Sequence, residues 1–365
     1  MREQWLIPVP WTPYTVSFGT RGLELVAGGG TYYGKGGLLV TDLQRRETRF
    51  TLLPRLLRSP GVPTGTPTVS GVCIDAEDRH VVASTWSRRH GYGPTHVFEL
   101  ARGELSHRAT LDHAWSDRPD PPCPNGVALH EQHIVVRSNS TTLEDTYARI
   151  ELPRDLELAS AGVPQHLTSS HVAIVGRTLV TGAGGSLILG GWRTDTGYYE
   201  AGRAATGLIL LERAQPVDKC HVLSVKACAR VAAIAAGLAS DTLITAGLNG
   251  EIDRWQCTGT WSQRRVQSPR IRAQPACAGD LVWATYRPAS IVGLCYLADA
   301  RRWLSVDASG EIGVWLDDER QATWQLPHPG SPRSIAAHPS EPWVAAAIKG
   351  PEPAIFLFNC EPFKR

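Results

Sequence analysis

The sequence predicts an all-β chain closed into a single ring: a seven-bladed β-propeller whose last blade is completed by the N-terminal strand. Three observations carry that prediction. One unit of short apolar strands separated by polar or Gly-rich turns recurs along the whole chain, and periods of this kind mark propellers and related repeat arrays. Glycine (35) and proline (26) punctuate the 365 residues too often for long helices. Two late segments place an Asn-Gly or Ser-Gly turn between strand-like runs, which is strong hairpin chemistry.

The elements follow in order within one domain, 1–365. Residues 1–11 hold the apolar run from Trp5 to Val9, read as the closing strand. Repeats begin near residues 12, 69, 124, 170, 228, 288 and 330. In the first, 15–18 leads to 23–26 and then 38–40; in the second, 71–74 leads to 80–83 and 96–98. The third runs through 126–129, 133–136 and 147–150, and the fourth through 171–174, 178–181 and 208–211. The fifth and sixth pair 232–235 with 243–255, and 291–294 with 304–315; the seventh runs through 334–337, 343–346 and 355–358. The mean spacing of about 53 residues exceeds the roughly 40–45 of a compact blade. Proline-rich connections at 58–63 and 117–122 account for the excess. The last repeat ends one strand short, and an open sheet edge invites unwanted pairing, so the N-terminal strand supplies what the final blade lacks.

Composition narrows the function classes. A hydrophobic share of 42% supports a large core and excludes a disordered polar chain. With 37 basic against 35 acidic residues, charge gives no reason to expect nucleic acid or an anionic membrane as partner. Arginine outnumbers lysine 32 to 5, but doublets such as Arg45-Arg46 and Arg264-Arg265 are separated by acids, which reads as coding bias. No apolar stretch approaches the roughly 20 residues of a membrane span, and the N-terminus lacks the apolar run of a secretory signal. The eight cysteines are scattered without a C-x-x-C pair, and Cys73 and Cys295 sit inside strand-like runs. They read as reduced structural thiols of a cytoplasmic protein.

The two late repeats carry a more specific pattern. The segment 243–255 aligns with 304–315, and Gly310-Glu311-Ile312-Gly313-Val314-Trp315 follows a turn preceded by Asp307. This ending resembles the WD40 repeat, in which an apolar strand, an Asp-Gly type turn and an Ile-x-Val-Trp strand follow one another. The resemblance implies a propeller closed by its N-terminal strand. It departs from the family pattern in lacking a Gly-His dipeptide and in having Gln256 and Leu316 after the tryptophans.

Chemical motifs give little support to catalysis. Gly29 to Lys35 fits the start of a phosphate-binding loop, but Gly36 stands where a magnesium-binding hydroxyl is needed, and a strand follows instead of a helix. His130-x-x-His133 lies between two strands, where residues three apart are expected on opposite faces, and has no third ligand at metal spacing. Ser186 lacks the nucleophile-elbow context.

The sharper signal lies between the second and third strands of three repeats. Tyr32, Tyr33 and Lys35 stand in the first; Trp86, Arg88, Arg89 and Tyr92 in the second; Trp192, Arg193, Tyr198, Tyr199 and Arg203 in the fourth. If the repeats are blades, these loops share one face, and exposed Tyr, Trp and Arg are the residues that dominate binding hot spots. The expectation is a non-catalytic interaction scaffold or recognition subunit of a larger cytoplasmic complex, binding another protein or an acidic or extended peptide. No cofactor, metal, membrane or small-molecule substrate is expected. The alternative is a hydrolase-like propeller enzyme with its site at the mouth of the central channel, assembled from distant blades.

Overall fold

The computed structural model of the chain describes residues 4–31, 36–53, 67–86, 93–112, 124–130, 133–138, 147–153, 156–158, 172–175, 178–186, 193–194, 197–198, 204–212, 221–224, 231–236, 242–247, 250–257, 261–268, 270, 290–299 and 301–361. Among them there is no α-helix. The N-terminal strand is β1 (Gln4–Pro8). The first sheet is β2 (Thr12–Phe18), β3 (Glu24–Gly30), β4 (Gly36–Asp42) and β5 (Glu47–Leu52); the second is β6 (Thr68–Ile74), β7 (His80–Trp86), β8 (Thr95–Ala101) and β9 (Glu104–Leu111). Three strands form the third, β10 (Pro124–His130), β11 (His133–Ser138) and β12 (Tyr147–Glu151). The fourth holds β13 (Val172–Val175), β14 (Thr178–Ser186), β17 (Ala204–Glu212) and β18 (His221–Ser224), with a small hairpin of β15 (Arg193–Thr194) and β16 (Gly197–Tyr198) inserted between β14 and β17. The fifth is β19 (Val231–Ala236), β20 (Thr242–Gly247), β21 (Ile252–Cys257) and β22 (Trp261–Gln267), and the sixth β23 (Ile291–Tyr296), β24 (Arg302–Asp307), β25 (Glu311–Leu316) and β26 (Glu319–Gln325). The last contains β27 (Ser331–Ala337), β28 (Trp343–Lys349) and β29 (Ala354–Asn359), with β1 as its fourth strand.

All pairings are antiparallel meanders, and β1 runs against β29 from Gln4↔Phe358 to Pro8↔Ala354. The inner strands β2, β6, β10, β13, β19, β23 and β27 each lie against the inner strand of the next sheet, and β27 lies against β2. The cores fill the seams between adjacent sheets. Leu304, Val306 and Val314 meet Ile335, Val344 and Phe356 across one seam. Ile7 of β1 joins Val16, Leu25, Ala345 and Leu357 across the seam between the last and first sheets. Full burial of such a side chain is worth about 1.5–3 kcal/mol, so the seams, summed over the ring, are the main source of stability.

Inner strands converge near the axis and need small residues there. A Cβ on Gly71 of β6 would come within 2.8 Å of Gly126 Cα on β10. Six of the seven inner strands also break register near their start, each leaving one residue unmatched: Tyr14, Ser70, Asn125, Ala232, Val292 and Arg333. Such bulges re-aim a side chain and bend the strand. At the other end of the inner strands, polar bonds tie neighbouring turns. Asp78 accepts from the backbone N–H groups of Thr20, Arg21 and Gly22, each at 2.7 Å. His338 Nε2 donates to Gly22 O at 2.8 Å while its Nδ1 accepts from Glu341 N–H at 2.9 Å.

Candidate functional site

Strand register identifies the face on which the predicted loops sit. The first residue of β2, the last of β3 and the first of β4 stand together, since Thr12 pairs with Gly30 and Gly30 with Gly36. That same end of the first sheet touches the start of β6, where a Cβ on Gly30 would meet Thr68 Oγ1 at 2.7 Å. The strand ends flanking 32–35, 87–92 and 187–203 therefore belong to one face, the loop face. A side chain at Gly36 would meet Pro67 O at 1.8 Å, so the hydroxyl that a phosphate-binding loop requires has no room there.

Of the predicted binding residues, three are placed. Trp86 ends β7, half-buried and paired in register with Thr68. Arg193 and Tyr198 are register partners in the β15–β16 hairpin. Tyr32, Tyr33, Lys35, Arg88, Arg89, Tyr92, Trp192, Tyr199 and Arg203 lie outside the described residues. One expectation is corrected: His130 and His133 end and begin adjoining strands and are direct cross-strand partners, because the two-residue connection reverses the chain between them. Among the described residues no three His, Cys, Asp or Glu side chains gather as a metal requires.

A second group on the loop face escaped the sequence reading. Tyr14 and Arg333 occupy corresponding bulges on the neighbouring inner strands β2 and β27, both half-buried. Lys349 ends β28 opposite Ser331. Burial depresses the Lys349 pKa, and the Arg333 guanidinium depresses it further. Burial raises the Tyr14 phenol, partly offset by Arg333 and by a hydrogen bond with Thr12. His328 lies alongside: its Nδ1 accepts from Gly330 N–H at 2.9 Å, and a Cβ on Gly330 would touch both that nitrogen and Lys349 O. The signal was present in the sequence. Thr12-Pro13-Tyr14-Thr15 and Ser331-Pro332-Arg333-Ser334 share a hydroxyl–proline–x–hydroxyl pattern at equivalent repeat positions, and proline, which cannot donate to a ladder, suits a bulge.

Elsewhere on this face cations are tied to carboxylates. Arg270 reaches Glu311 at 3.0 Å and Asp307 at 3.4 Å, and Arg320 also binds Glu311. Arg265 pairs with Asp253 and, at 3.2 Å, with Glu251. Burial alone would raise Glu311, but hydrogen bonds from Arg320 and Arg270 outweigh it and hold the carboxyl below its usual range. Asp307 is raised because burial outweighs the bonds it accepts from Ser309 and Glu311. The two tryptophans that end the best-matched repeats are anchored alike: Trp255 Nε1 donates to Thr245 Oγ1 and Trp315 Nε1 to Ser305 Oγ, both at 3.0 Å. These bonds supply a buried polar anchor in both sheets.

No family model matches the chain, and no curated protein matches it. Among solved structures, the β-propeller domain of Cps50 (Swd1) from Myceliophteria thermophila is similar over 98% of this chain and 99% of that one, with a TM-score of 0.59 at 12% identity. Together with the sheet topology, that likeness defines the class: the chain is a β-propeller.

Proposed function

We propose that the protein is a non-catalytic interaction platform that binds another protein or peptide through its loop face, as a subunit of a larger cytoplasmic assembly. The observation that carries this reading is the inserted β15–β16 hairpin, which brings Arg193 and Tyr198 into register in the connection where the sequence concentrates Trp and Tyr. A rigid ring with variable loops is suited to recognition, and aromatic and arginine side chains contribute most per residue to protein interfaces. The cytoplasmic assignment rests on the cysteines. Burial pushes the thiols of Cys73 and Cys295 up, so both stay protonated and behave as small core hydrophobes.

Affinity capture of the tagged full chain from its native organism tests the reading. The expected result is a co-purifying protein that is lost when Trp192, Tyr199 and Arg203 are replaced together by alanine. Capture that is identical with wild type and triple variant would contradict it.

A further inference from the structure

We propose that the open edge of β5, on the outer side of the first sheet, takes an extended segment of a partner protein as an added strand, with apolar side chains at alternate positions and Lys or Arg between them. The edge is built from other residues than the loop cluster and does not depend on it. β5 ends the first sheet and pairs with β4 alone. Hydrogen bonding fixes which of its backbone groups are free. Leu53 N–H donates to Gly36 O and Leu43 N–H to Leu23 O, so Gly36, Leu38, Val40 and Asp42 are the β4 residues that bond toward β5. Their partners Thr51, Arg49 and Glu47 bond back, which leaves the N–H and C=O groups of Thr48, Phe50 and Leu52 pointing away from the sheet.

Proteins blunt such edges with bulges, short strands or proline, and the other described fourth strands show these devices. β9, β22 and β26 each carry one residue unmatched on the neighbouring strand, Arg108, Val266 and Gln321. β18 has only 4 residues. In β1, Val9 N–H bonds to Pro353 O, so the preceding Pro8, which has no N–H, stands on the free edge. β5 has none of these: its register runs unbroken from Gly37↔Leu52 to Asp42↔Glu47. Its side chains set the preference of the edge. Phe50 and Leu52 are 48% and 68% exposed and share one face of the strand, with Phe50 edge-on to Trp11 at 5.5 Å between ring centroids. Apolar side chains at alternate positions of an added strand would lie beside them. The other face carries Glu47 and Arg49, and Arg49 binds both Glu47, at 3.7 Å, and Glu104 of β9. One cation against two exposed carboxylates leaves negative charge, which favours Lys or Arg at the intervening positions. A second copy of this chain fits less well. The two antiparallel registers that keep most of β5 paired with itself set Arg49 opposite Arg49 or Thr48 opposite Leu52.

Fluorescence anisotropy with the full chain tests the edge. The probe is a short fluorescein-labelled peptide alternating valine with lysine. Its controls are the same peptide N-methylated throughout, which keeps the side chains but cannot donate, and a counterpart with glutamate in place of lysine. The probe is expected to bind at least tenfold more tightly than the N-methylated peptide and several-fold more tightly than the glutamate one. Leu52→Lys should weaken it about tenfold, whereas Ala322→Lys, which adds the same charge to the exposed side of bulged β26, leaves it unchanged. Phe50→Pro, which removes the central outward N–H, should match Leu52→Lys. Equal binding of the N-methylated peptide, tighter binding of the glutamate peptide, or equal effects of Leu52→Lys and Ala322→Lys overturns the proposal. Sedimentation of the chain without peptide is expected to show no dimer that Leu52→Lys abolishes; such a dimer would make a second copy the occupant and overturn it as well. The triple alanine variant of Trp192, Tyr199 and Arg203 should bind the probe like wild type. Loss of the probe in that variant, with Leu52→Lys unaffected, would assign the binding to the loop face and overturn the edge site while leaving the platform reading in place.

Discussion

At the scale of single residues, the least exposed ionisable groups say most about how the ring is held. His96 on β8 is fully buried, with Nδ1 near Thr110 Oγ1 at 3.2 Å and His107 Nε2 at 3.4 Å. Burial, with the nearby His107 adding to it and Asp112 opposing, lowers its pKa to about 4 from the ordinary 6.5. In the unfolded chain the ring takes its proton near 6.5, so between these values the unfolded state binds more protons. Stability is therefore complete above about pH 6.5, falls as pH drops toward 4 and is level below, with a total loss of about 3 kcal/mol. Urea unfolding of wild type and His96→Leu at pH 7 and pH 4.5 checks this: the variant should lose clearly less stability between the two, and equal losses would count against a buried neutral imidazole. The strand around His96 was legible from Val97 and Phe98, but its burial was not, because the groups that meet its ring, His107 and Thr110, lie on the next strand. Asp78 illustrates the same limit. Its turn was readable, while the three N–H groups it binds lie more than fifty residues away in sequence.

At the scale of the strand, legibility tracked burial. In the first, second, sixth and last sheets the first three strands are largely buried, and the first three strands of each repeat were read from the sequence close to their observed positions. The fourth strands are different. β5, β9 and β26 are mostly exposed, so polar residues dominate and no hydrophobic period announces them. The hairpin turns were readable because Gly250 and Gly310 adopt φ of 81° and 89°, the left-handed region that glycine alone enters freely. The pairing of Tyr14 with Arg333 went unread for a different reason: a bulge is a defect in period, and two equivalent defects become visible only when repeats are superposed. The closing strand gives the clearest energetic test. Ile7 of β1 is 4% exposed in the seam between the last and first sheets. Ile7→Ala should cost about 2–4 kcal/mol, as expected for a large-to-small change in a packed core. Chemical denaturation measures it, and a loss below about 0.5 kcal/mol, as for a surface substitution, would mean that β1 does not pack there.

At the scale of the molecule, the seam between the last and first sheets depends on one junction. Arg333 and Lys349 come from the last sheet and Tyr14 from the first, and the strand that joins the two ends of the chain is β1. Without it, β29 would be an open edge and the seam would lose Ile7 from its core. Amide hydrogen exchange over residues 4–8 in the full chain tests this junction most directly. The amides of β1 facing β29 are expected to exchange orders of magnitude more slowly than those of an unstructured peptide. Exchange of that segment at the unstructured rate, with β27, β28 and β29 still protected, would contradict a ring joined through its N-terminal strand.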